Sequence, residues 1–187
     1  MFGYLQRELH YSDYEIELIK YFFKMMCCEL SKFIFMGVFF IYIDLFLEYV
    51  VATIVLMSIR TMIGGLHCKT YAGCFCFTFA FFIASVVYLP MIPVSKLLVL
   101  ICLLVCIIIS NYIGPITSVY RKTPTGIVIR NSKIHVSTIV FAYCILVYIM
   151  PLNQYIEVGF WVIIAQTIQL MVAYILKKRR CTNEAQD

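Results

Sequence analysis

Arg60, Gly64, Gly65, His67 and Cys74 fall in one short polar break between long apolar runs, Arg60-Thr-Met-Ile-Gly-Gly-Leu-His67-Cys-Lys-Thr-Tyr-Ala-Gly-Cys74. A cysteine becomes a strong nucleophile once it is a thiolate, and a neighbouring imidazole is the usual means of making it one. On an unbroken helix, residues seven apart share a face but lie about 10 Å apart along the axis. A hydrogen bond between imidazole and thiol needs about 3 Å. If His67 and Cys74 work together, the backbone between them cannot be straight helix. Gly64-Gly65 and Gly73 allow the unusual dihedrals of such a break. Gly73, directly before Cys74, suits the start of the next helix, where free backbone N–H groups favour negative charge.

The same residues have plainer readings. Arg60, His67 and Lys69 could mark a membrane border, with Cys74 one more membrane cysteine. His67, Cys68, Cys74 and Cys76 match no common zinc spacing, so no metal is expected. Cys68 and Cys76 compete with Cys74 as the reactive thiol. Cys76 points away from Cys74 in a helix, and the side chains of His67 and Cys68 diverge.

The surroundings say what must position these groups. The chain is 63% hydrophobic and 13% charged. Ordinary soluble domains are about 45–50% apolar and about 25% charged. An integral membrane protein is expected: an all-α, polytopic helical bundle forming a single integral-membrane domain over 1–187. The N-terminus lacks the pattern of a cleaved signal peptide. Of nine cysteines, Cys27, Cys102, Cys106 and Cys144 lie inside apolar runs. No disulfide framework is expected, and Cys68, Cys74 and Cys76 read as reduced and cytosolic.

Four spans follow the polar break: Phe75 to Pro90, Leu97 to Ile113, Ile134 to Met150, and Tyr155 to Leu176. A bilayer crossing takes roughly 20 residues. Lys and Arg concentrate at Arg60 and Lys69, at Arg121, Lys122, Arg130 and Lys133, and at 177–180, while the intervening loops hold one Lys between them. The positive-inside rule puts the three basic regions, with the polar break and the C-terminus, in the cytosol. Residues 1–24 read as an amphipathic surface segment, and 181–187 as a polar tail. Between them, apolar sequence is broken by Asp44 and Glu48. Read as two helices meeting near Asp44–Glu48, the first starting near Tyr21, it gives about six transmembrane helices; read as one long helix, it gives five. Charge is costly in mid-lipid, which favours the break. Gln166 and Gln169, inside the last span, either bond between helices or line a cavity.

The order Arg60-x4-Gly65-x-His67-x6-Cys74 resembles the signature of the accessory gene regulator B (AgrB) family, membrane cysteine endopeptidases of Gram-positive peptide quorum sensing. Length, amphipathic start, flanking spans, a Pro-containing basic loop, two closing spans and a charged tail extend the likeness over essentially the whole chain. Relatives commonly carry a small residue where this chain has Cys68; the His-x6-Cys spacing points to Cys74.

The resemblance implies catalysis by His67 and Cys74 on an AgrD-like propeptide, with no cofactor. Cys74 would attack the junction of signal segment and acidic tail, giving a thioester that an internal thiol or hydroxyl closes to a thiolactone or lactone. Arg60 could bind a substrate carboxylate, stabilise the oxyanion or hold the loop. Gly65 would serve the backbone. Arg121, Lys122, Arg130 and Lys133 either signal topology or dock the acidic tail. The expected partners are the propeptide and the lipid bilayer, with a homodimer implied by resemblance only and no nucleic acid. The rival reading is a small peptide transporter or export channel without thiol catalysis.

Overall fold

A computed structural model describes residues 13–65, 70–116 and 125–183. The chain divides into two compact units, Met1–Asp44 and Leu45–Asp187. In the first, α1 runs from Asp13 to Tyr42. The expected amphipathic segment and the helix expected to begin near Tyr21 are therefore continuous from Asp13 onward. No proline interrupts the stretch, and Lys32 pairs with Glu29 one turn earlier. Such pairs stabilise a helix surface modestly. The helix ends where Asp44 adopts φ +58°, a left-handed conformation that Asp tolerates better than most residues. The long apolar run is thus two helices, divided at the acidic stretch that the sequence singled out. Glu48 lies in the first turn of the next helix, where a carboxylate complements the helix dipole.

Among its described residues the second unit contains five α-helices. They are α2 (Phe46–Ile63), α3 (Tyr71–Phe82), α4 (Lys96–Ile113), α5 (Gly126–Ile149) and α6 (Gln154–Asn183). A π-helical turn, Ile83–Tyr88, and a 3-10 turn, Leu89–Met91, prolong α3. Among the described residues there is no strand, and five segments of 18 to 26 residues are long and apolar enough to cross a membrane. This is an all-α, multi-pass membrane bundle. All four spans read after the polar break are present.

Helix starts follow local chemistry. The Thr70 and Ser95 side chains accept from Gly73 N–H and Leu98 N–H, and the Asn153 side chain accepts from Ile156 N–H. These are N-caps, satisfying donors that a helix cannot. Pro90 sits in the turn that closes the α3 span. The start of α5 differs from the sequence expectation. Nothing between Gly126 and Lys133 breaks a helix, so Arg130 and Lys133 ride on its first two turns rather than in a loop. Likewise α6 continues through Asn183, into the segment read as a tail.

One core joins α2, α4, α5 and α6. Ile59 and Ile63 meet Val99, Leu103 and Cys106, together with Val136, Val140, Cys144, Val147, Phe160 and Ile163. The three- and four-residue spacings put these side chains on one face of each helix. In contrast, α3 packs through its far half: Phe82 lies against Tyr49, ring centroids 5.1 Å apart, and the π-helical turn meets α6.

Lipid is as apolar as these side chains, so close contact and polar pins must hold the bundle. Asn111 donates to the Ser137 hydroxyl at 2.7 Å, joining α4 to α5. Lys96 Nζ donates to the carbonyls of Tyr148 and Met150, capping the C-terminal end of α5. These bonds account for a lone lysine at the first position of α4, next to a loop poor in charge. Tyr143 donates to the Ile156 carbonyl at 2.6 Å, and a Cβ at Gly159 would lie 2.3 Å from its hydroxyl oxygen.

Gly159→Ala should therefore cost about 1–3 kcal/mol through overpacking. Adding Tyr143→Phe should restore part of the loss. Thermal unfolding of the full chain in detergent micelles measures both.

Candidate active site

The polar break begins with the end of α2. Arg60 occupies its last turn, where a cation complements the carbonyl end of the dipole. Gly64 has φ +80°, open essentially to glycine, and its N–H donates to the Arg60 carbonyl at 2.9 Å. A Cβ on Gly64 would meet the Ile116 carbonyl oxygen at 2.4 Å, so the site also requires the absence of a side chain.

Two neighbours satisfy the carbonyls released by this break. Ile116 N–H donates to the Ile63 carbonyl at 3.0 Å. Gln166 Nε2, reaching across from α6, donates to the Gly64 carbonyl at 2.9 Å. The end of α2 is thereby fastened to the segment after α4 and to the middle of α6. α2 ends at Ile63, Gly64 and Gly65 are not helical, and α3 begins at Tyr71. Residues 66–69, including His67 and Cys68, lie outside the described residues, as do Arg121 and Lys122.

Cys74 stands in the first turn of α3, half-buried, with its N–H donating to the Thr70 carbonyl at 3.0 Å. The Cα–Cβ bond of a helical residue tilts toward the helix N-terminus. The Cys74 side chain therefore leans back toward the start of α3. Cys76 is exposed, two residues further round the helix. None of the described cysteines, Cys27, Cys28, Cys74, Cys76, Cys102, Cys106 and Cys144, is in a disulfide.

Gly65 is the centre of an unexpected polar cluster. A Cβ built on it would lie 3.5 Å from Arg60 Nε, 3.6 Å from Gln166 Nε2 and 3.8 Å from Gln169 Oε1. Both glutamines are almost wholly buried, at 1% and 6% exposure, and the side-chain carbonyl oxygen of each has no hydrogen-bond partner. The sequence offered two roles for them. Gln166 performs the first, an interhelical bond, while both leave acceptors over. Their spacing of three on a face shared with Ile163 and Leu170 was the visible signal, but not what they would meet.

Lys133 also comes to this end of the unit. It packs on Gly114, whose built Cβ would lie 2.8 Å from Lys133 Cε, two residues before the Ile116 that holds α2. Arg130 is exposed one turn earlier. Glu48 begins the helix that Arg60 ends, twelve residues or about 18 Å of rise away, too far to orient a catalytic base here.

These features define a class: a helical, multi-pass membrane protein with a cysteine at a helix start and an arginine-glycine helix end in one break between spans. The profile of the family described as accessory gene regulator B matches residues 1–170, and the chain belongs to that family. A Clostridium beijerinckii protein named as AgrB-like is 30% identical over 82 residues, 44% of this chain. The aligned part spans 41% of that relative's length. No solved structure matches.

Gly64→Ala should destabilise the second unit by at least the ~1–2 kcal/mol that a left-handed backbone costs an L-residue, with the Ile116 clash added. Gly126→Ala, where a Cβ meets nothing within 4 Å, should be close to neutral. Paired melting curves in detergent check the contrast.

Proposed function

We propose that this protein is a membrane-embedded cysteine endopeptidase, which removes the C-terminal tail of a quorum-sensing propeptide and promotes its cyclisation. The observation carrying this reading is the helix break between Ile63 and Tyr71, with Cys74 in the next helix's first turn, in a chain of the accessory gene regulator B family. A straight helix would hold His67 and Cys74 too far apart to exchange a proton.

His67 takes the thiol proton as Cys74 sulfur attacks the carbonyl at the junction of signal segment and tail. The C–N bond breaks, His67 returns the proton to the leaving amine, and the signal segment remains as a thioester on Cys74. An internal cysteine thiol or serine hydroxyl then attacks that carbonyl. The product is a thiolactone or lactone, and the Cys74 thiol is regenerated. Exchange of one thioester for another is nearly neutral, whereas making a thioester from an amide is uphill. Removal of the tail or export of the ring must draw the sequence forward. Water must be kept from the intermediate, as a pocket at the membrane border can do.

Arg60, at the carbonyl end of α2 beside Gly65, is suited to meet a carboxylate or a developing oxyanion. The positive-inside pattern supports a cytoplasmic catalytic loop and C-terminus. Arg121, Lys122, Arg130 and Lys133 form the dock for the acidic tail; the packing of Lys133 on Gly114, close in sequence to the segment that fastens α2, supports that role. The catalytic unit acts as one integral-membrane domain and, as its relatives' resemblance implies, as a homodimer.

Incubation with a synthetic propeptide from the adjacent open reading frame tests the chemistry. Cys74→Ala and Cys74→Ser should each abolish tail release, read by mass spectrometry, while Cys68→Ala retains it. Tail release by Cys74→Ala would refute thiol catalysis by Cys74 and favour a transporter if peptide export persisted. Replacing Arg121, Lys122, Arg130 and Lys133 with Gln should raise KM for the full propeptide and leave a tail-neutralised one unchanged. An equal effect on both peptides would remove the docking role.

A further inference from the structure

The bond from Gln166 to Gly64 holds an oxygen whose direction matters to everything after it. Gly64 has φ +80° and ψ −161°. An ordinary left-handed helix end has ψ near +47°, so the peptide plane after Gly64 is turned roughly 150° from that cap. Such a conformation is nearly confined to glycine and persists where its surroundings over-determine it. Here both peptide planes that flank the Gly64 Cα are held. Ile116 N–H holds the carbonyl of Ile63, and Gln166 Nε2 holds the carbonyl of Gly64 itself. Fixing the two planes fixes φ and ψ together. In the ordinary cap the Gly64 oxygen would swing away from α6, and Gly65 would leave in another direction. The donor is well placed to resist this. Gln166 is 1% exposed, and Ile163 and Leu170 on its own helix belong to the core. Its amide nitrogen faces Gly64 because the reverse orientation would set two oxygens against each other.

We infer that Gln166 is a positioning residue for the reaction: it touches no reacting atom, and holds the Gly64 carbonyl so that the chain leaves α2 on the extended course that brings His67 to Cys74. The inference rests on the proposed peptidase reading and adds to it the residue that places the general base. His67 follows Gly65 by two residues, a reach of about 7 Å at roughly 3.3–3.6 Å each. Turning the peptide plane at the start of that reach displaces its far end by several ångströms. A misplacement of about 1 Å can cost about a hundredfold in rate. One hydrogen bond, modest as a contribution to stability, thus has large leverage on the chemistry. It comes from a side chain 102 residues away, where no motif around the break could reveal it.

The test reads the reactivity of Cys74. Full-length protein in lipid nanodiscs is alkylated with iodoacetamide over a series of pH values, and the rate at Cys74 is followed by mass spectrometry of its peptide. His67→Ala gives the profile of the thiol without its base. The unmutated protein should react at lower pH than His67→Ala. Gln166→Met, of similar length but without a donor, should shift the profile toward that of His67→Ala. Its alkylation at neutral pH should be about tenfold slower, the effect of moving the midpoint by about one pH unit. With the synthetic propeptide, kcat for tail release should fall at least about tenfold while KM stays within about twofold. Thr167→Val, at a buried neighbour whose hydroxyl donates to the Ile163 carbonyl of its own helix, should change neither measurement. Gln166→Asn keeps a buried amide but draws it back from the carbonyl. It should give the same shift, and carries the test if Gln166→Met does not fold. Gln166 variants with the unmutated profile, or an equal shift in Thr167→Val, overturn the positioning role. An unmutated profile coinciding with that of His67→Ala overturns the peptidase reading beneath it, and is told apart because no Gln166 variant is needed to see it.

Discussion

A backbone polar group packed away from water must find a partner, so a helix can end inside a bundle only where its released carbonyls find donors. That constraint governs the end of α2. The carbonyls of Ile63 and Gly64 are met by Ile116 N–H and by Gln166 Nε2, while Gly64 takes a backbone conformation closed to other residues. Three parts of the second unit thereby hold one another: the end of α2, the segment after α4, and the middle of α6. The break they permit gives Arg60, Gly65 and Cys74 an arrangement that a straight rod would deny them.

Polar bonds stiffen the bundle around this point. Asn111 to Ser137 and Lys96 to the end of α5 tie α4 to α5, and Tyr143 to Ile156 ties α5 to α6. Each such bond carries more weight than its count suggests, because the lipid supplies no hydrophobic drive between helices. By contrast, α3 carries Cys74 in its first turn and packs chiefly through its far end, at Phe82 and the π-helical turn. Cys74 is thus carried at the less embraced end of a helix anchored at its other end.

The residues proposed to act in this chain lie mostly at element ends. Arg60 sits in a last turn, Cys74 in a first turn, and Arg130 and Lys133 in the first two turns of α5. Helix ends are where backbone dipoles are uncompensated and where polar side chains cost least. Gln166 and Gln169 are the exception, since they lie deep in a span and are buried. They are the polar residues whose presence most requires a reason.

Composition and hydropathy alone determined the membrane class, the helical architecture and four of the spans, because an apolar run of bilayer length has few other fates. The types and spacing of Arg60, Gly65, His67 and Cys74 were legible too, as was the division near Asp44, since charge and glycine punctuate helices locally. The continuity of α1 and the early start of α5 depart from the sequence expectation: charged residues suggest boundaries there, yet long Lys and Arg side chains can ride a helix without ending it. Only tertiary structure decided that Gln166 fastens Gly64, that Gln169 and Arg60 converge on Gly65, that Lys133 packs on Gly114, and that Gly159 clears space for Tyr143. Those contacts join residues up to about a hundred positions apart, where local periodicity carries no information and helix packing alone selects the neighbour.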